Sequence, residues 1–137
     1  MRIAVDAMGG DFAPREIVKG AVEAAAALPD VTGLVLVGDE AAVQHELSGA
    51  SRASEKIDVL HASEAVGMDE SLAQAIRRKK DSSIGTAVDL VKDGTVDAVV
   101  SAGNTGAVMV AATLKLRPLE GVDRPSIAAV MPTRARP

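Results

Sequence analysis

Short, unbroken runs of β-branched and aliphatic residues, each followed by a longer segment of helical period, constrain this chain more than any other feature. "RIAVDA" (2–7), "GLVLVGD" (33–39), "IDVLHAS" (57–63), "DAVVSAG" (97–103) and "SIAAVMP" (126–132) read as strands. "PREIVKGAVEAAAAL" (14–28), "DEAAVQHEL" (39–47), "ESLAQAIRRKK" (70–80), "SSIGTAVDLVKDG" (82–94) and "TGAVMVAATLKL" (105–116) read as helices. A strand that is apolar without alternation is covered on both faces, as parallel strands usually are. The alternation therefore predicts an α/β fold, a mostly parallel sheet with helices on both faces and right-handed crossovers. Pro14 suits a first helical turn, where its missing N–H costs nothing, and Asp81 with Ser82 forms a cap signal.

The core of such a fold must here be aliphatic. Hydrophobic residues make up 47% of the 137, but aromatics only 1%, with Phe12 the sole example. That nearly excludes the aromatic platforms on which single-stranded nucleic acid stacks. The formal charge of −4 gives no general attraction to nucleic acid or anionic lipid. The absence of cysteine removes disulfides, thiolate zinc sites and cysteine nucleophiles, and fits a cytoplasmic protein. The amino terminus turns acidic too soon for a secretory signal, and no apolar run approaches the ~18 residues of a membrane span. The last stretch, "MPTRARP", follows an expected buried strand with no helix to cover it, so the chain reads as part of something larger.

In open parallel sheets, ligands gather beyond the carboxyl ends of the strands. Two loops at such ends are chemically unusual. "DAMGGDFAP" (6–14) places Gly9 and Gly10 between Asp6 and Asp11 at a strand-to-helix handover. Its functional reading is a main chain that a ligand can approach, and its plain reading is a tight turn. "SAGNTG" (101–106) places Gly103, Asn104, Thr105 and Gly106 where the next helix starts. Outward N–H groups and the positive helix end there form a ready anion site, with Ser101 as a further donor. Its plain reading is a βα turn capped by Asn104 or Thr105. Neither loop has the spaced glycines of a dinucleotide fingerprint or the lysine of a P-loop, so phosphate is better supported than a nucleotide.

A third feature is "RRKKDSSI" (77–84). Four consecutive cations usually form a solvated helix end, but Ser82 and Ser83 at the next helix start complement them in holding an anion. His45 and His61 lack ligand spacing, and no metal site, nucleophile elbow or triad is evident.

"AVDAMGGDFAP", "RRKKDSSIGTAVDLVKDG", "VSAGNTGAVM" and "LRPLEGVDRPSIAAVMP" together resemble the bacterial phosphate acyltransferases of phospholipid synthesis, in order and across essentially the whole chain. The resemblance is to the amino-terminal part of that family, less than half of a typical member, with residues 1–137 as that α/β part and the second lobe missing. It implies a fold similar to the isocitrate and isopropylmalate dehydrogenases. It implies an enzyme that converts acyl-[acyl-carrier protein] and inorganic phosphate to acyl phosphate, without a cofactor, as a homodimer that in some members associates peripherally with the membrane.

The residues suit that chemistry. Phosphate is itself the nucleophile, so the protein needs only to hold it against a thioester carbonyl and to stabilise the oxyanion. Asn104, Thr105 and Gly106 are the first candidates for holding phosphate, with Gly9 and Gly10 offering further main-chain donors and Gly103 a further phosphate-binding glycine. Ser82 and Ser83, assisted by Lys79 or Lys80, are the next, for phosphate or oxyanion. Asp6 or Asp11 is expected to orient donors, because an unpaired carboxylate beside phosphate repels it. Docking of an acidic carrier protein would need a local basic patch at Arg77, Arg78, Lys79 and Lys80, or Arg117 with Arg124. Competing readings are a phosphate acetyl- or butyryltransferase using acyl-coenzyme A, a catalytically inactive fragment, and a nucleotide-binding module.

Overall fold

The computed structural model describes residues 1–49, 55–67, 70, 78–123 and 125–129. Four parallel strands form one sheet: β1 (Arg2–Asp6), β2 (Gly33–Gly38), β3 (Ile57–His61) and β4 (Ala98–Val100). Among the described residues, four helices connect and cover them: α1 (Arg15–Ala27), α2 (Glu40–Leu47), α3 (Ser83–Lys92) and α4 (Thr105–Leu116). Spatial order is β3-β2-β1-β4. The chain steps outward from β1 through β2 to β3, then returns to the other side of β1. The order thus reverses between β1 and β4, the place where open sheets of this kind bind ligands.

Strand alternation divides the core between the two faces. Val5, Leu34 and Leu36 meet Val18, Ala21 and Ala25 of α1 and Val43 of α2 on one face. Ala4, Val35 and Val37 meet Ala87 of α3 on the other. Every residue of β2 is buried, as its unbroken apolar sequence requires. A third cluster, Ile84 and Val88 with Ala107 and Ala111, packs α4 on α3. Alanine at the α4 positions lets the two helix axes approach closely.

The architecture agrees with the sequence reading, with differences at the edges. Pro14 stands at the N-cap rather than in the first turn, and α1 starts at Arg15. β4 stops at Val100 rather than running to Gly103, because the side chain of Ser101 turns to bond Asp6. Residues 126–129 are in neither strand nor helix, and the rest of the expected strand 126–132 lies outside the described residues. Most of the expected helix 70–80 lies outside them too. No helix among the described residues is long and apolar enough to cross a membrane.

Candidate functional site

Parallel strands followed by returning helices put every helix start on the same rim of the sheet as the strand ends. At the β1/β4 reversal this rim carries a cleft. Asp6, Ser83, Ser101 and Asn104 supply its polar lining, and Met8, Val66, Ile84 and Ala107 its apolar lining. Its volume is ≈ 10 Å³, room for about one water molecule. Larger grooves exist, one of ≈ 490 Å³ between α1 and α2. Convergence of helix starts, rather than size, singles out the small cleft.

The starts of α3 and α4 meet here because Ile84 and Ala107, each in a first turn, pack in the same cluster. Two positive helix ends, each equivalent to roughly half a charge, therefore border one cleft. Each is capped by its own sequence. Ser82 Oγ accepts from Gly85 N at 3.3 Å, and Asn104 Oδ1 accepts from Ala107 N at 3.2 Å. The first-turn N–H groups of Thr105 and Gly106 have no carbonyl within their helix to bond. Ser83 is only 1% exposed. Its hydroxyl makes no hydrogen bond to another described residue, and no sealed side-chain polar atom among those residues lacks a partner. Ser83 nonetheless lines the cleft.

The floor is tied across the two strands. Val5 pairs with Val100 as the last backbone rung between β1 and β4. The next rung is made by side chains: Ser101 Oγ donates to Asp6 Oδ2 at 2.7 Å. Gly103 N donates to Ser101 Oγ at 3.1 Å, and Met8 N to Asp6 Oδ1 at 3.3 Å. Asp6 is 4% exposed, so both of its oxygens are engaged in a buried setting. Above this rung the loops touch. A Cβ on Gly103 would lie 3.0 Å from Gly9 Cα, and one on Gly10, at φ 112°, would lie 3.3 Å from Ala102 O. Gly9 N donates to Asp6 O. The Gly9 and Gly103 amides are thus bonded internally, and these glycines serve close approach rather than donation.

The residues singled out by sequence divide into two groups. Asp6, Ser83 and Asn104 line the cleft, Thr105 and Gly106 open the helix above it, and Gly9, Gly10 and Gly103 form the contact between the loops. Ser82 is a buried cap beside it. Asp11 and Lys80 are exposed and do not line it. Lys79 is held elsewhere: its Nζ donates to Ala65 O at 2.7 Å and pairs with Glu70, whose carboxyl it holds below the ordinary value. Of the basic residues considered for docking, Arg78, Lys80 and Arg117 are exposed, while Arg77 and Arg124 lie outside the described residues. The role of Ser101 was not legible. Its hydroxyl reads as one more anion donor, whereas its proton goes to Asp6, a partner 95 positions away. His61 accepts from Glu40 N at the start of α2.

The approach to α3 is fixed by Asp81. Ser63 donates to its Oδ2 twice, from Oγ at 2.6 Å and from N at 2.8 Å. These bonds, the hydroxyl's first, hold the Asp81 carboxyl below its ordinary 3.8. A depressed carboxyl contributes stability above 3.8 that is lost as pH falls through its lower folded value. Asp81→Asn is therefore expected to lower the urea midpoint at neutral pH, with the gap to wild type closing in acid. A gap independent of pH would show that ionisation contributes nothing.

Comparison with known proteins bears on the same residues. A family model described as fatty acid synthesis protein matches residues 1–136. The chain is 53% identical over 134 residues to the phosphate acyltransferase of Heliobacterium modesticaldum, covering 97% of this chain and 39% of that protein. It is 52% identical over 132 residues to that of Pelotomaculum thermopropionicum, covering 96% of this chain and 38% of the other. With that of Geobacter sulfurreducens it shares 51% identity over 135 residues, covering 97% and 38%. The chain thus spans about two-fifths of the length of these relatives.

Proposed function

The chain belongs to the fatty acid synthesis protein family, and from that premise we propose that it forms the phosphate-holding part of a phosphate acyltransferase. The substrates are an acyl thioester of acyl-carrier protein and inorganic phosphate, and the product is acyl phosphate for phospholipid synthesis. Residues 1–137 are the amino-terminal α/β part of that enzyme, which works in the cytoplasm, at the membrane surface in some members, as a homodimer.

One observation carries the reading: two helix starts, with Ser83 at one and Asn104 at the other, line a single cleft at the point where strand order reverses. Phosphate rests at the mouth of the cleft, against the first-turn N–H groups of Thr105 and Gly106, the Asn104 amide group and Ser83 Oγ. One phosphate oxygen attacks the thioester carbonyl carbon. The carbon–sulfur bond breaks, and the proton carried by phosphate passes to the departing thiolate, giving acyl phosphate and free carrier thiol. The helix ends stabilise negative charge on phosphate and on the developing oxyanion. Asp6 takes no proton in this scheme, since Ser101 and Met8 occupy its oxygens.

Asn104→Asp separates binding from folding. The aspartate keeps the cap oxygen that Ala107 N needs, but adds a negative charge at the anion site. Its expected effect is a loss of at least about tenfold in phosphate affinity with the melting temperature nearly unchanged. Phosphate titration followed by calorimetry, with hydroxamate trapping of acyl phosphate from an acyl-carrier protein thioester, tests the reading. Wild-type protein that binds no phosphate, or Asn104→Asp protein that binds it equally well, overturns it. Faster turnover of acyl-coenzyme A than of the carrier thioester would replace the substrate assigned here.

A further inference from the structure

We propose that Ser101 is a positioning residue for phosphate, acting through the Gly103–Asn104 turn without touching the ligand. The proposal rests on the phosphate reading above. Ser101 has one hydroxyl proton, and it is committed to Asp6 Oδ2 at 2.7 Å. Ser101 Oγ in turn accepts the Gly103 amide at 3.1 Å. A hydroxyl so engaged has no proton left for phosphate, so its influence must pass along the chain.

The next residues are Gly103 and Asn104. Gly103 has no side chain to locate it and lies against the equally bare Gly9. Backbone pairing between β1 and β4 ends at Val5 and Val100. Beyond that rung, the carboxylate–hydroxyl–amide relay is what fixes the height and direction of the turn. Asn104 begins α4 immediately afterwards, so an error in the turn becomes an error in the cap and in the first-turn N–H groups. Asp6 anchors the relay from the strand end, buried and bonded at both oxygens.

Ser101→Ala removes both bonds at once, leaving Asp6 Oδ2 and Gly103 N without the partner they share. The expected result is about tenfold weaker binding of inorganic phosphate together with faster amide exchange at Gly103 and Asn104. Ser101→Thr, which keeps the hydroxyl, is expected to retain wild-type values for both. Ser101→Cys, close in size but a weak donor, carries the same expectation as alanine if that variant does not fold. Asp6→Asn combined with Ser101→Ala should be no worse than Ser101→Ala alone, because both cut the same relay. Wild type that binds phosphate alongside a Ser101→Ala variant that binds it equally well overturns the positioning role and leaves the phosphate reading standing. Wild type that binds no phosphate removes both.

Discussion

Replacing Gly9 by alanine is expected to abolish phosphate binding and to destabilise the fold by about 1–3 kcal/mol, the usual cost of overpacking. The added Cβ would lie 2.6 Å from Asp6 Oδ2, 2.8 Å from Ser101 Oγ and 2.9 Å from Gly103 N. None of these atoms can yield cheaply. The first two are bonded to each other, and the third belongs to the backbone of the turn that carries Asn104. Relief requires the β1 and β4 loops to separate, which moves the two sides of the cleft apart. Gly20→Ala is the control: nothing lies within 4 Å of its Cβ position, and a helix interior gains about 0.5–1 kcal/mol when alanine replaces glycine. Thermal melts of the two variants should move in opposite directions, and phosphate titration should fail for Gly9→Ala while Gly20→Ala matches wild type. A Gly9→Ala variant that binds phosphate normally would show that contact between the loops is irrelevant to the site.

Leu36→Ala should have the largest effect on stability, a loss of about 2–5 kcal/mol. Leu36 is 0% exposed, lies on β2 between β1 and β3, and faces the cluster that holds α1 and α2. Its neighbours are mostly valine and alanine, short side chains that cannot reach into the space it would vacate. Leu119, at 80% exposure, gives the comparison: its alanine variant should fall within about 0.5 kcal/mol of wild type. Denaturant midpoints of both variants, at matched slopes, test the assignment. Similar losses for the two would mean that burial does not set the ranking.

Much of the fold is legible in the sequence. Unbroken apolar runs such as residues 33–38 read as strands covered on both sides, which calls for helices above and below the sheet. The glycine-bearing loops stood out because each places glycines at a strand-to-helix handover, although a plain turn accounts for such glycines as well. The pairing of the cleft's walls was less accessible. That α3 and α4 start side by side follows from Ile84 and Ala107 joining one buried cluster, a grouping that no local pattern encodes. The glycines themselves suggested donors, whereas packing uses their missing side chains and sends two of their amides inward. Charge was the least reliable guide. Lys79 and Lys80 stand out in sequence beside Ser82, yet one is bound to Glu70 and the other faces solvent. A long side chain's destination depends on the carboxylates that folding brings near it.

Asp6 and Ser101 occupy the position where a further pair of backbone bonds would otherwise have joined β1 to β4. A join made from side chains can be lengthened, weakened or recharged by a single codon change, whereas a main-chain ladder cannot. The mouth of the cleft can therefore be retuned during evolution or by design while the strands beneath keep their alignment.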